Sequence, residues 1–141
     1  MNRERALQVS YFLLRVVAGL LFFHAGCLIV LGWFGGMPET PGSTAPLMSQ
    51  TGIGGLLELV GGIAIMLGLF TRPVAFILSG EMAVAYWQFH APNGLWPIVN
   101  HGELAALFCF LFLYMAARGG GDWSLDALLR RRRDGTSRID S

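Results

Sequence analysis

Four stretches of the chain are almost continuously apolar, at about residues 10–34, 52–70, 73–89 and 100–117, and short polar or turn-forming segments divide them. Each is close to the ~17–25 residues that a helix needs to cross the hydrocarbon core of a bilayer. The pattern therefore predicts an all-α membrane protein, a four-transmembrane-helix antiparallel bundle. Only Thr71 and Arg72 separate the second stretch from the third, and Pro73 pre-sets the backbone angle of a helix start, so these two form a tight hairpin. Residues 35–44 are dense in turn formers and predict an irregular loop, with Trp33 and Phe34 anchoring the preceding helix at the membrane interface. Residues 90–99 combine His90, Pro92, Trp96 and Pro97, which predicts a segment folded back as a short cap.

Composition agrees with the pattern. Hydrophobic residues make up 54% of the chain and charged residues 13%, where a soluble domain carries roughly 25% charge. All ten basic residues are arginines, and their distribution says more than the net charge of +1. The N-terminus, the Arg72 turn and the C-terminal tail hold nine of them, whereas residues 35–51 and 90–99 contain none. Basic residues accumulate on the cytoplasmic side, so both termini are predicted cytoplasmic and those two connections external. The first apolar stretch exceeds the roughly 7–15 residues of a secretory signal core and carries Arg15 and His24, which predicts a retained helix.

A chain of 141 residues supports one membrane domain, over residues 1–129. It includes an interfacial amphipathic helix at about residues 122–130, and a basic flexible cytoplasmic tail occupies 131–141. Attraction of Arg130 to Arg133 to anionic headgroups, about 1 kcal/mol each, accounts for that run. It predicts no nucleic-acid partner.

The candidate chemistry lies inside the apolar stretches. Glu58, Glu81 and Glu103 each interrupt a different one, and an ionised carboxylate there must face a partner, the protein interior or a water-filled cavity. Helical spacing sets Glu58 with Gly54, Gly61 and Ile65, Glu81 with Ala85 and Gln88, and Glu103 with Asn100, Leu107 and Tyr114. At about 1.5 Å rise per residue, His24, Glu58 and Glu103 fall in the outer half of the membrane and Glu81 near its middle. One polar chamber opening outward, with His90, Asn100 and His101 at its mouth, is the simplest arrangement. Two roles fit these carboxylates: a ligand or proton site, and protonated cross-helix glue. Arg15 either snorkels to the cytoplasmic headgroups or makes an internal ion pair. A lone histidine on an apolar helix, as at His24, is commonly a packing residue, and the spacing of histidines and glutamates matches no metal signature. No metal is expected. Cys27 and Cys109 form no Cys-x-x-Cys pair and read as small packing residues. Trp96 is a candidate lid over a planar ligand. No haem, flavin or nucleotide signature is present, so a redox cofactor would be a diffusible ligand or belong to a partner.

Several strings resemble the DoxX family of small four-helix bacterial membrane proteins: Phe23-His24-Ala25-Gly26, Leu57-Glu58-Leu59-Val60-Gly61-Gly62, Gly80-Glu81-Met82-Ala83, His90-Ala91-Pro92 with Trp96-Pro97, Asn100-His101-Gly102-Glu103 and Trp123-Ser124-Leu125-Asp126. The resemblance spans nearly the whole chain and implies a multi-pass protein of the bacterial inner membrane. It links such proteins to quinone and thiosulfate redox systems and to oxidative-stress complexes. The chain departs from the family where Leu28-Ile29 replace a Gln-Lys pair, which leaves Arg15 as the cation within the spans. Two function classes follow. One is a quinone-interacting or redox-associated membrane subunit using His24, Glu58, Glu81, His90, Asn100 and Glu103, supported by Arg15, Trp96 and His101, with quinone as the diffusible cofactor. The other is a non-catalytic scaffold that recruits a soluble redox enzyme or a second copy of itself. A small-molecule transporter is a weaker third, since no inverted repeat is visible.

Overall fold

The computed structural model describes residues 2–37 and 40–136. The chain forms two compact units, Met1–Thr71 with Gly119–Ser141, and Arg72–Arg118.

In the first unit, α1 (Arg3–Leu31) starts where the Asn2 side chain accepts from the Arg5 N–H at 2.9 Å and stops at Gly32, whose φ of 68° only glycine adopts without strain. The loop that follows is more regular than its composition predicts. A 3₁₀ turn, Trp33–Gly35, leads into β1 (Gly36–Met37), which pairs antiparallel with β2 (Thr40–Pro41), Gly36 opposite Pro41. Pro38 and Glu39 lie outside the described residues. Helix α2 (Gln50–Leu67) opens with Ser49 Oγ accepting from the Gly52 N–H at 3.0 Å and closes on Gly68.

Helices α1 and α2 run antiparallel along a seam of glycine. A Cβ on Gly19 would stand 2.6 Å from the Gly62 carbonyl oxygen, one on Gly62 2.5 Å from the Phe23 nitrogen, and one on Gly26 2.3 Å from the Leu59 nitrogen. The two backbones therefore touch, which is how membrane helices gain dispersion contacts that lipid cannot supply. The seam follows Gly55, Leu59 and Gly62, one step round the helix from the Gly54, Glu58 and Gly61 face that spacing singles out.

The same unit contains α6 (Leu125–Thr136), which extends beyond the expected end near residue 130 because arginine continues a helix readily. Arg138 lies outside the described residues. Polar contacts hold the start of α6. Asp126 accepts from the N–H groups of Phe70 and Thr71 at 2.8 and 2.9 Å, its own N–H reaches the Gly68 carbonyl at 2.9 Å, and Ser124 Oγ accepts from Ala127 N at 3.1 Å.

The second unit holds all but the first residue of α3 (Thr71–Ala85), which continues without a break into a π-helical turn, Tyr86–His90. A 3₁₀ turn, Ala91–Asn93, and the one-turn α4 (Pro97–Asn100) lead to His101, whose φ of 57° reverses the chain into α5 (Glu103–Arg118). Ser79 Oγ donates to the Cys109 carbonyl at 2.7 Å and ties α3 to α5. Among the described residues, α1 and α2 are long and apolar enough to cross a membrane. Helix α5 has 16 residues, and α3 has 15 before the five-residue π turn. Outward-facing Val17 and Leu21 on α1 and Ile53, Val60 and Leu67 on α2 suit a lipid environment, since bulky apolar side chains are exposed along both helices.

Candidate functional site

The densest polar cluster of the second unit lies where α3 ends. In a π turn the backbone bonds reach one residue further than in an α-helix, and such turns recur at functional sites. This one turns Tyr86 and His90 toward the buried side chain of Asn100. Asn100 Nδ2 donates to the Gly94 carbonyl at 2.6 Å and to Tyr86 Oη at 3.3 Å, and its Oδ1 accepts from the Gly102 N–H at 2.8 Å. Tyr86 Oη in turn donates to the Leu95 carbonyl at 2.7 Å. His90 Nδ1 stands 3.1 Å from the Asn100 carbonyl oxygen, and its ring stacks over Tyr86 with centroids 6.3 Å apart. The segment between the two helices is thus folded back and fastened by one amide. Asn100 spends both faces of that amide on the protein, so it positions the turn and His90 presents the free edge.

Four further candidates lie in this unit. Glu81 is half-buried on α3. Glu103 is exposed and occupies the first position of α5, where a carboxylate complements the positive end of the helix dipole. His101 is exposed, and its left-handed backbone makes it the hinge between α4 and α5. Trp96 exposes 72% of its surface, and its carbonyl accepts from the N–H groups of Val99 and Asn100.

The first unit holds the remaining candidates. Glu58 is part-buried on α2, and its Oε2 is sealed from solvent with no hydrogen-bond partner among the described residues. His24 is exposed and meets the edge of the Phe34 ring at 5.2 Å. Arg15, 1% exposed, donates from Nη2 to the Trp123 carbonyl at 2.6 Å. Its neighbour one turn earlier, Tyr11, donates to the Gly119 carbonyl at 2.5 Å. Both side chains therefore lock the segment before α6 against α1.

Sequence reasoning missed Tyr86 and Gly102. Tyr86 lies four residues before His90 on a helical face. The Asn100 side chain accepting from the backbone N–H two residues ahead is the turn that asparagine itself favours. A Cβ on Gly102 would stand 2.7 Å from Asn100 Oδ1 and 2.8 Å from Tyr86 Cε2, so glycine is what lets the cluster close.

A mostly helical architecture with two apolar helices of membrane-spanning length is consistent with an all-α membrane protein. The DoxX family model matches residues 10–91. An uncharacterized protein of Haemophilus influenzae is 42% identical over 121 residues, which cover 82% of this chain and 89% of that protein. Inner membrane protein YqjF of Escherichia coli is 28% identical over 137 residues, covering 88% of this chain and 95% of that one. No solved structure matches the chain. The chain belongs to the DoxX family and is a protein of the bacterial inner membrane.

Proposed function

We propose that the chain crosses the membrane four times with both termini cytoplasmic, and binds a small quinone-type redox molecule as the membrane subunit of a redox system. The observation that carries this reading is Glu58, whose buried Oε2 lacks a partner among the described residues on a helix apolar enough to span the bilayer. A carboxyl group so placed costs free energy that cross-helix hydrogen bonding does not offset, and such groups in membrane helices mark ligand or proton sites. Glu81, half-buried on α3, is a second titratable side chain within an apolar stretch.

A second reading, a non-catalytic scaffold that recruits soluble redox enzymes, draws support from Asn100, whose amide is committed to holding the chain. Amide substitution separates the two. Glu58→Gln or Glu81→Gln keeps the shape but cannot ionise, so it abolishes quinone binding or turnover with little change in thermal stability in detergent if the site is chemical. Under the scaffold reading both variants are silent, and Glu→Leu loosens the fold by roughly 0.6–2 kcal/mol per lost interhelical bond. Native mass spectrometry with lipids retained provides the binding measurement. Fully active, stable Gln variants at both positions would reject the chemical role.

A further inference from the structure

The hydrogen bond at His90 settles which of its nitrogens is open. A carbonyl oxygen only accepts, so the Asn100 carbonyl 3.1 Å from Nδ1 requires the hydrogen to sit on Nδ1. A neutral imidazole then carries its lone pair on Nε2. The other polar groups of the turn are occupied: Tyr86 Oη by Leu95 and Asn100, and the Asn100 amide by Gly94 and Gly102. Nε2 has no protein partner among the described residues, and His90 is only half-buried. Around the turn, Trp87, Phe89, Leu95, Trp96, Ile98 and Val99 all expose large apolar surfaces. Such surroundings favour a neutral, ring-shaped, largely apolar molecule over a charged one.

We propose that Nε2 of His90 accepts a hydrogen bond from the hydroxyl of such a molecule, so that the site selects a hydroquinone or phenol over the corresponding quinone. An oxidised quinone offers only carbonyl oxygens, and two acceptors facing each other leave both lone pairs without a hydrogen. This inference rests on the quinone reading and names the redox form that the site holds. It requires no electron transfer, only binding. Asn100 acts as the positioning residue, because its carbonyl sets the tautomer.

The full-length protein in phosphatidylcholine nanodiscs, labelled with ¹⁵N-histidine, tests the proposal. Nitrogen chemical shifts report the tautomer of each of the three histidines, and the signal lost in His90→Asn identifies His90. Decyl-substituted benzohydroquinone under argon and its benzoquinone are then titrated separately. Expected are an Nδ1–H tautomer, movement of the Nε2 signal with hydroquinone, and affinity for hydroquinone about tenfold or more above quinone, the scale of one buried hydrogen bond. His90→Asn retains an amide N–H for the Asn100 carbonyl but has no acceptor at the Nε2 position, so it loses the preference. An Nε2–H tautomer, an unmoved Nε2 signal, or quinone bound as tightly as hydroquinone overturns the proposal while leaving the quinone reading in place. If neither form binds, both fall together. Should His90→Asn not fold, the wild-type tautomer and redox preference still decide, with the His90 signal identified by elimination from His24→Gln and His101→Gln.

Discussion

At the scale of single residues, the polar side chains divide by what they have left to offer. Asn100 is saturated: Gly94, Tyr86 and Gly102 use its amide, and it is 4% exposed. Replacing it with leucine leaves those partners without their bonds in a water-poor setting, at about 1–3 kcal/mol for each one that stays buried. Asn100→Leu should therefore lower the thermal transition in detergent clearly, whereas Glu103→Gln, at an exposed helix start, should change it little. Equal transitions in wild type and Asn100→Leu would show that the amide does not hold the turn. Arg15 is also committed, though only one of its nitrogens has a carbonyl, and Nε and Nη1 remain buried without partners among the described residues. Asp126 lies close enough to act on its charge while both carboxylate oxygens cap the backbone at Phe70 and Thr71.

Elements meet here through the absence of side chains as much as through their presence. The seam between α1 and α2 leaves no room for a methyl group at Gly19, Gly26 or Gly62, because the obstacles are main-chain atoms that cannot rotate away. Gly62→Leu should force the helices apart and cost at least the roughly 1–3 kcal/mol typical of overpacking. Gly80→Ala is the control, since a Cβ there meets nothing within 4 Å. Thermal unfolding of both variants in one detergent is the measurement, and a Gly62→Leu protein as stable as Gly80→Ala would refute the close approach. The π turn gives a contrasting case, in which α3 trades regular bonding at its end for the orientation of Tyr86 and His90.

For the whole molecule, the question is which way it lies in the membrane. Arginines at both ends and at Arg72, with none in residues 35–51 or 90–99, predict that the ends lie inside. In a Cys27→Ala, Cys109→Ala background, Ser43→Cys should react with an impermeant maleimide in intact spheroplasts, and Ser137→Cys only after the membrane is permeabilised. The reverse pattern would invert the topology, and reaction of both in intact spheroplasts would mean an odd number of spans.

The apolar runs of the sequence already marked α1, α2, α3 and α5, because a helix covered all round by lipid or by packed protein is hydrophobic on every face. Helix α1 begins seven residues before its apolar run, at Arg3, where Asn2 supplies a cap that hydropathy does not see. The cost of a charge in lipid made Glu58 and Glu81 legible as candidates, and the DoxX strings named the family. Tertiary structure decided the rest. Whether a polar side chain is open or spent depends on which carbonyl stands 3 Å away, and that is set by a π turn, a left-handed histidine and a glycine rather than by the residue's own chemistry. Asn100 and His90 look equivalent as letters ten positions apart, yet the fold satisfies the amide of one and leaves Nε2 of the other open.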